Sequence, residues 1–156
     1  MSVASSSESL PGRKILLAIL VGGGVAGTLD LISAFISYGW GVPRAIASGL
    51  LGSPALHGGV PAWILGVALQ LFIAISAATV YCLSSRRLVF LKEHFFVCGL
   101  FFGIAVFLVM NLIVVPLSAA PFKSTTFKLA GLIQGLLVHM FLIGLPIAYS
   151  ARKLSK

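Results

Sequence analysis

Four runs of this sequence are apolar for long enough to cross a lipid bilayer, and they limit the fold more than any other feature. A helix needs ~20 apolar residues to span the hydrocarbon core. The runs are Ile15–Tyr38, Trp63–Leu83, Phe95–Leu117 and Phe127–Tyr149. In hydrocarbon, backbone N–H and C=O groups must be paired within the protein, so such runs are read as helices. The expected fold class is all-α: a membrane four-helix bundle with a short extra helix in the first outer loop. Residues 13–151 would form this single four-span domain. They follow a disordered N-terminal tail, residues 1–12, and precede a basic C-terminal tail, residues 152–156. Composition agrees, with 59% hydrophobic and 9% charged residues against roughly 45–50% and 25% in soluble domains.

The first run could be mistaken for a cleaved signal peptide, because it starts at Arg13-Lys14 and has small residues at Gly22–Gly27. A signal h-region is only ~7–15 residues long. Here the apolar pattern continues through Leu31, Ile32, Phe35 and Ile36, so a retained span is expected.

Orientation follows from the basic residues. Arg13, Lys14, Arg86, Arg87, Lys92, Arg152, Lys153 and Lys156 fall at one side of the four runs, and Arg44, Lys123 and Lys128 at the other. Basic residues concentrate on the cytoplasmic side of a membrane. Both termini and the Ser84–His94 connection are therefore expected in the cytoplasm, where Cys82 and Cys98 would stay reduced. Trp40 and Trp63 then fall at the outer interface, and Tyr81 and Tyr149 at the inner one. The net charge of +8 reads as contact with anionic lipid. No basic stripe is interleaved with exposed aromatics, so no nucleic acid partner is expected. The expected partner is the lipid bilayer, with a second copy or another membrane protein left open.

The first outer connection, GWGVPRAIASGLLGSPALHGGVP, is long and half apolar. Pro43 can open a helix that Ala45–Leu51 continue and Gly52-Ser53-Pro54 stop. Such a helix is too short to span. It must lie on the outer surface or dip in against the bundle.

Asp30 stands out. It is one of three acids in the chain, with Glu8 and Glu93, and it lies inside the first apolar run. At helical spacing its neighbours are Gly23, Ala26, Gly27, Ser33, Ala34 and Ser37, all small. Small residues mark a face that another helix approaches closely, so Asp30 is expected to face the bundle interior. Gly23/Gly27, Gly99/Gly103 and Gly131/Gly135 each form a GxxxG.

Counting from the basic end at ~1.5 Å per residue, Asp30, Gln70, Asn111 and Gln134 all fall roughly 20–24 Å deep, with His139 about 7 Å nearer that end. These five are the candidate intramembrane polar layer. Asn111 or Gln134 is the expected partner of Asp30, then His139, with Arg44 a possible outer-loop partner. A charged Asp at mid-membrane costs ~2.5–3.5 kcal/mol and marks a functional site by default. Asn, Gln and His also serve as interhelical glue at ~0.6 kcal/mol per bond.

Other chemistry fails on spacing. His57, His94 and His139 lie at three different levels and cannot share a metal. GGGVAG lacks the Lys-Ser/Thr and the preceding strand of a phosphate loop. No catalytic, cofactor-binding or metal-binding residues are expected, and no enzyme.

The segments VAGTLDLISAF, PRAIASGLLG and LVMNLIVVPLS, set in four spans, resemble small uncharacterised bacterial inner-membrane proteins, distantly YagU-like. The resemblance covers most of the chain after the tail through loose apolar motifs. It implies a bacterial inner membrane and a four-helix architecture, and brings no activity or site residues. Two functional classes are compatible with the residues. The expected one is a structural or accessory membrane subunit held by glycine packing. The other is a small transporter or proton-coupled carrier using Asp30. A filled, dry bundle would favour the first, and a cavity reaching Asp30 the second.

Overall fold

The computed structural model describes residues 11–121 and 129–154, and no strand occurs among them. Helix α1 spans Pro11–Tyr38, α2 Val42–Leu51, α3 Gly59–Arg87, α4 Phe90–Glu93, α5 Phe95–Leu117 and α6 Leu129–Leu154. A 3-10 turn, Ser53–His57, joins α2 to α3. Four of these helices, α1, α3, α5 and α6, are long and apolar enough to cross a membrane. The architecture is the expected all-α four-helix bundle with a short extra helix.

Several boundaries move. Of the expected N-terminal tail, residues 1–10 lie outside the described residues, but Pro11 and Gly12 already belong to α1. The first turn of a helix has unpaired N–H groups, so proline loses nothing there. Likewise α3 runs about a turn beyond Trp63–Leu83 at each end. At the other terminus α6 takes in Arg152 and Lys153, placed in the tail by sequence. Cations in a last turn offset the negative end of the helix dipole. Phe127, Lys128 and residues 155–156 lie outside the described residues.

The packing is the reverse of a soluble protein's. Ala18, Ala26, Ala74, Ala78, Ala148 and Ala151 are buried, whereas Ile36 is 83% exposed and Phe72 and Phe101 are each 68% exposed. Water would penalise such an exterior, but lipid tails do not, and close helix approach needs small residues inside. The chain is thus built as a multi-pass membrane protein.

Glycines set the helix contacts. A Cβ on Gly23 would strike the Ile75 backbone, and one on Gly27 would meet Ala74 and Leu71, so α1 lies directly on α3. Gly99 and Gly103 of α5 face the backbone of α6 at Gly144 and His139. The third GxxxG behaves differently. Gly131 has open space where a side chain would stand, and Gly135 meets only the Phe107 ring. Gly131 thus leaves room, while Gly135 lets the Phe107 ring of α5 approach closer than a side chain would.

Helix α2 packs on α3, with the backbone of Pro43 seated on Gly66. Pro43 and Ser48 are fully buried. Gly66 is seven residues into α3, about 10 Å along it, so α2 leans into the bundle. Its far end meets the residues after α5, where the Ala119 N–H donates to the Gly49 carbonyl at 2.9 Å. Gly39, with φ of 79°, makes the left-handed turn out of α1 that a side chain would resist. Beside it, Trp63 Nε1 donates to the Trp40 carbonyl at 3.2 Å, and Phe35 stacks on Trp63 with centroids 6.1 Å apart. The two tryptophans therefore share one end, as expected. Tyr81 is buried within the protein, and its hydroxyl donates to the Leu91 carbonyl in the connection between α3 and α5.

The two halves of the bundle differ. A core of Ala18, Ile19, Ala78, Tyr81, Cys82, Ile143, Ile147 and Ala151 closes the end where α1 begins and α6 finishes. Toward the opposite end a smaller cluster forms from Ala47, Ala55 and Ala62.

Candidate functional site

The small face of α1 serves two purposes along its length. Near Gly23 and Gly27 it lies on α3. One turn further on, Asp30, Ser33, Ala34 and Ser37 face a cavity of about 500 Å³. Tyr38 from α1, Phe107 and Asn111 from α5, and Gly131, Gln134, Gly135, Val138 and His139 from α6 help to complete its lining. The room comes from the open space at Gly131 and from small residues on α1.

Asp30 faces the interior, as its stripe predicts, but its direct partner is a different one. Gln70 Nε2 on α3 donates to Asp30 Oδ2 at 2.5 Å. Gln70 is 9% exposed and stands in the wall behind Asp30, off the cavity surface. Depth counting puts three other polar side chains at the level of Asp30. It cannot say that α3, not α5 or α6, is the helix pressed against the Asp30 face. Gly23 and Gly27 decide that, because they draw α3 in.

Neither Asn111 nor Gln134 bonds to Asp30. Asn111 Nδ2 donates to the Phe107 carbonyl one turn earlier, at 2.8 Å. Gln134 Nε2 donates to Ser37 Oγ at 2.8 Å, bridging α6 to α1 across the cavity rim. His139, expected one level nearer the basic end, opens on the same cavity as Asp30. Its Nδ1 is 2.8 Å from the Gly135 carbonyl. A carbonyl only accepts, so Nδ1 carries a hydrogen and Nε2 remains for other partners. Arg44, half-buried on α2, is not among the cavity residues and does not pair with Asp30.

The second carboxylate oxygen matters most. Asp30 Oδ1 has no hydrogen-bond partner among the described residues, and no buried side-chain oxygen or nitrogen is left unpaired among them. Oδ1 is therefore accessible, at the cavity surface.

Two irregular turns carry polar residues into this space. Residues Met110–Val114 of α5 and His139–Gly144 of α6 are π-helical. Proline cannot donate to the carbonyl four residues earlier, and its ring crowds that carbonyl. Those carbonyls belong to Leu112 for Pro116 and Leu142 for Pro146, each inside a π turn. The wider turn relieves the crowding, and such turns recur at functional sites. Asn111 and His139 ride on them. The prolines inside two apolar runs are the sequence signal for this feature. Phe107 has a weaker one: it lies one turn before Asn111, on the same face, and its ring stands edge-on to His139 at 5.4 Å.

Of the five residues of the expected polar layer, four line one cavity and the fifth, Gln70, holds Asp30 in place. Among the described residues no three His, Cys, Asp or Glu side chains gather as metal ligands. No protein-family model, curated protein or solved structure matches this chain.

Proposed function

We propose that this protein is a small carrier of the bacterial inner membrane, with both termini cytoplasmic, moving a solute or proton through the cavity at Asp30. The observation behind this reading is the accessible Asp30 carboxylate oxygen on a cavity of about 500 Å³. A structural or accessory subunit needs only a filled bundle. Here a cavity reaches Asp30, the one acid within the four spans.

The chemistry comes from the arrangement. A carboxylate within the bilayer is costly unless it is paired or solvated. Gln70 supplies one hydrogen bond and the cavity supplies solvent. A neutralising partner, whether a proton or a cationic group, can then be exchanged at Oδ1. His139, across the same space, keeps Nε2 available for a bound partner.

Proteoliposomes containing the full chain and an internal pH dye test the reading. Small amines, amino acids and sugars are added outside in turn. At least one is expected to drive proton movement in the wild type and none in a folded Asp30→Asn variant. Identical traces for the two proteins with every solute would sink the carrier reading.

A further inference from the structure

We infer that the cavity at Asp30 is a binding site for a small organic cation, an amine or quaternary ammonium group carried on an apolar body. The inference rests on the carrier reading for its purpose, but the site can be tested without transport.

Charge comes first. Of the described residues that line the cavity, Asp30 is the only carboxylate, and none is Lys or Arg. Asp30 Oδ2 is held by Gln70 and Oδ1 is left open. A ligand that completes this site brings positive charge or a strong donor to Oδ1. An anion would meet a carboxylate with no cation beside it except a protonated His139.

Size comes second. About 500 Å³ falls within the ~300–1,000 Å³ of pockets that enclose drug-sized organic molecules. A bare metal ion needs several ligands drawn close around it, and the described residues offer no such cluster. A proton alone needs no cavity of this size.

The lining points the same way. Phe107 and Tyr38 supply aromatic surface, while Val138, Leu132 and Ala34 supply aliphatic surface. Aromatic rings attract ammonium groups through their quadrupole, by ~0.5–2 kcal/mol depending on desolvation. The polar groups are few and placed at the edges: Gln134 and Ser37 at the rim, Asn111 and His139 on the π turns. Mostly apolar walls with a few convergent polar groups describe a site for an amphiphilic cation better than one for a sugar.

The groups facing Asp30 set the pH behaviour. These are His139 from α6, neutral Gln70 from α3 and neutral Asn111 from α5. Protonating Asp30 removes the attraction for a cation, so binding should fall as pH falls.

The test is calorimetry on the purified full chain in detergent, with benzyltrimethylammonium as probe. Benzyl alcohol and benzoate serve as its neutral and anionic counterparts. The cation is expected to bind saturably, at least tenfold more tightly than benzyl alcohol, with no binding of benzoate. Asp30→Asn should weaken cation binding at least tenfold. Should that variant fold poorly, Ala34→Phe narrows the cavity while keeping the carboxylate and should abolish binding. The inference is overturned if the folded wild type binds none of the probes, if benzoate binds as well as the cation, or if folded Ala34→Phe binds as the wild type does. Failure here is separable from failure of the carrier reading. Asp30-dependent proton movement driven only by uncharged solutes would leave a carrier with a different substrate. Saturable cation binding without any transport would leave the site and remove the carrier.

Discussion

The side-chain amide of Gln70 on α3 donates to the Asp30 carboxylate on α1, between two helices already held at backbone distance by Gly23 and Gly27. One polar bond thus fixes a charged group at the edge of a cavity while leaving its second oxygen free. Among the described residues that line the cavity, Asp30 is the only carboxylate.

Removing the donor should cost stability. Gln70→Leu leaves Asp30 Oδ2 with no partner in the wall, and the expected loss is about 1–2 kcal/mol. Gln70→His keeps an N–H and should lose less. Thermal unfolding in detergent measures both. Equal stability of wild type and Gln70→Leu would mean that the bond contributes nothing.

The glycines should divide into two groups. Gly103→Ala and Gly66→Ala push a methyl group into the backbone of His139 and Pro43 respectively. Overpacking of this kind costs about 1–3 kcal/mol or more. Gly24→Ala and Gly131→Ala meet nothing within 4 Å. They should be neutral, or stabilising by up to ~1 kcal/mol through helix propensity. Melting temperatures of the four variants read the difference directly. A destabilised Gly131→Ala would contradict the open space on α6.

Four helices and the inward face of Asp30 are legible in the sequence, because run length and the small-residue stripe depend only on helical period and on lipid as solvent. The partner of Asp30 is not legible. Depth along a helix is local arithmetic, whereas which helix lies against which face depends on tertiary packing. Gly131/Gly135 and Gly99/Gly103 look alike in sequence, yet one pair borders a cavity and the other joins two backbones. The π turns at Asn111 and His139 escape a regular helical count that runs straight through Pro116 and Pro146. The depth of His139 on such a count assumes a regular helix that α6 does not keep.

Topology has its own test. Eight basic residues on one side against three on the other predict cytoplasmic termini. A cytoplasmic reporter fused after Lys156 should be active, and a periplasmic one should be active when inserted in the 118–126 connection. A periplasmic reporter active at Lys156 would invert the orientation, and with it the side on which the cavity opens.

The central claim is that the space beside Asp30 is reached by water, and Ser33 tests it most directly. Ser33 lies one turn from Asp30 on the same face and lines the cavity, whereas Ala26, on that face one turn before Asp30, is fully buried. Each is changed to cysteine in a chain whose free thiols, Cys82 and Cys98, have been replaced by serine. Intact membranes are then treated with a positively charged, water-soluble thiol reagent. Ser33→Cys is predicted to be modified and Ala26→Cys to stay unmodified, and Asp30→Asn to slow modification at Ser33→Cys by weakening attraction of the cationic reagent. No modification at Ser33→Cys in protein shown to be folded would mean that the cavity is closed to water and that Asp30 only joins two helices.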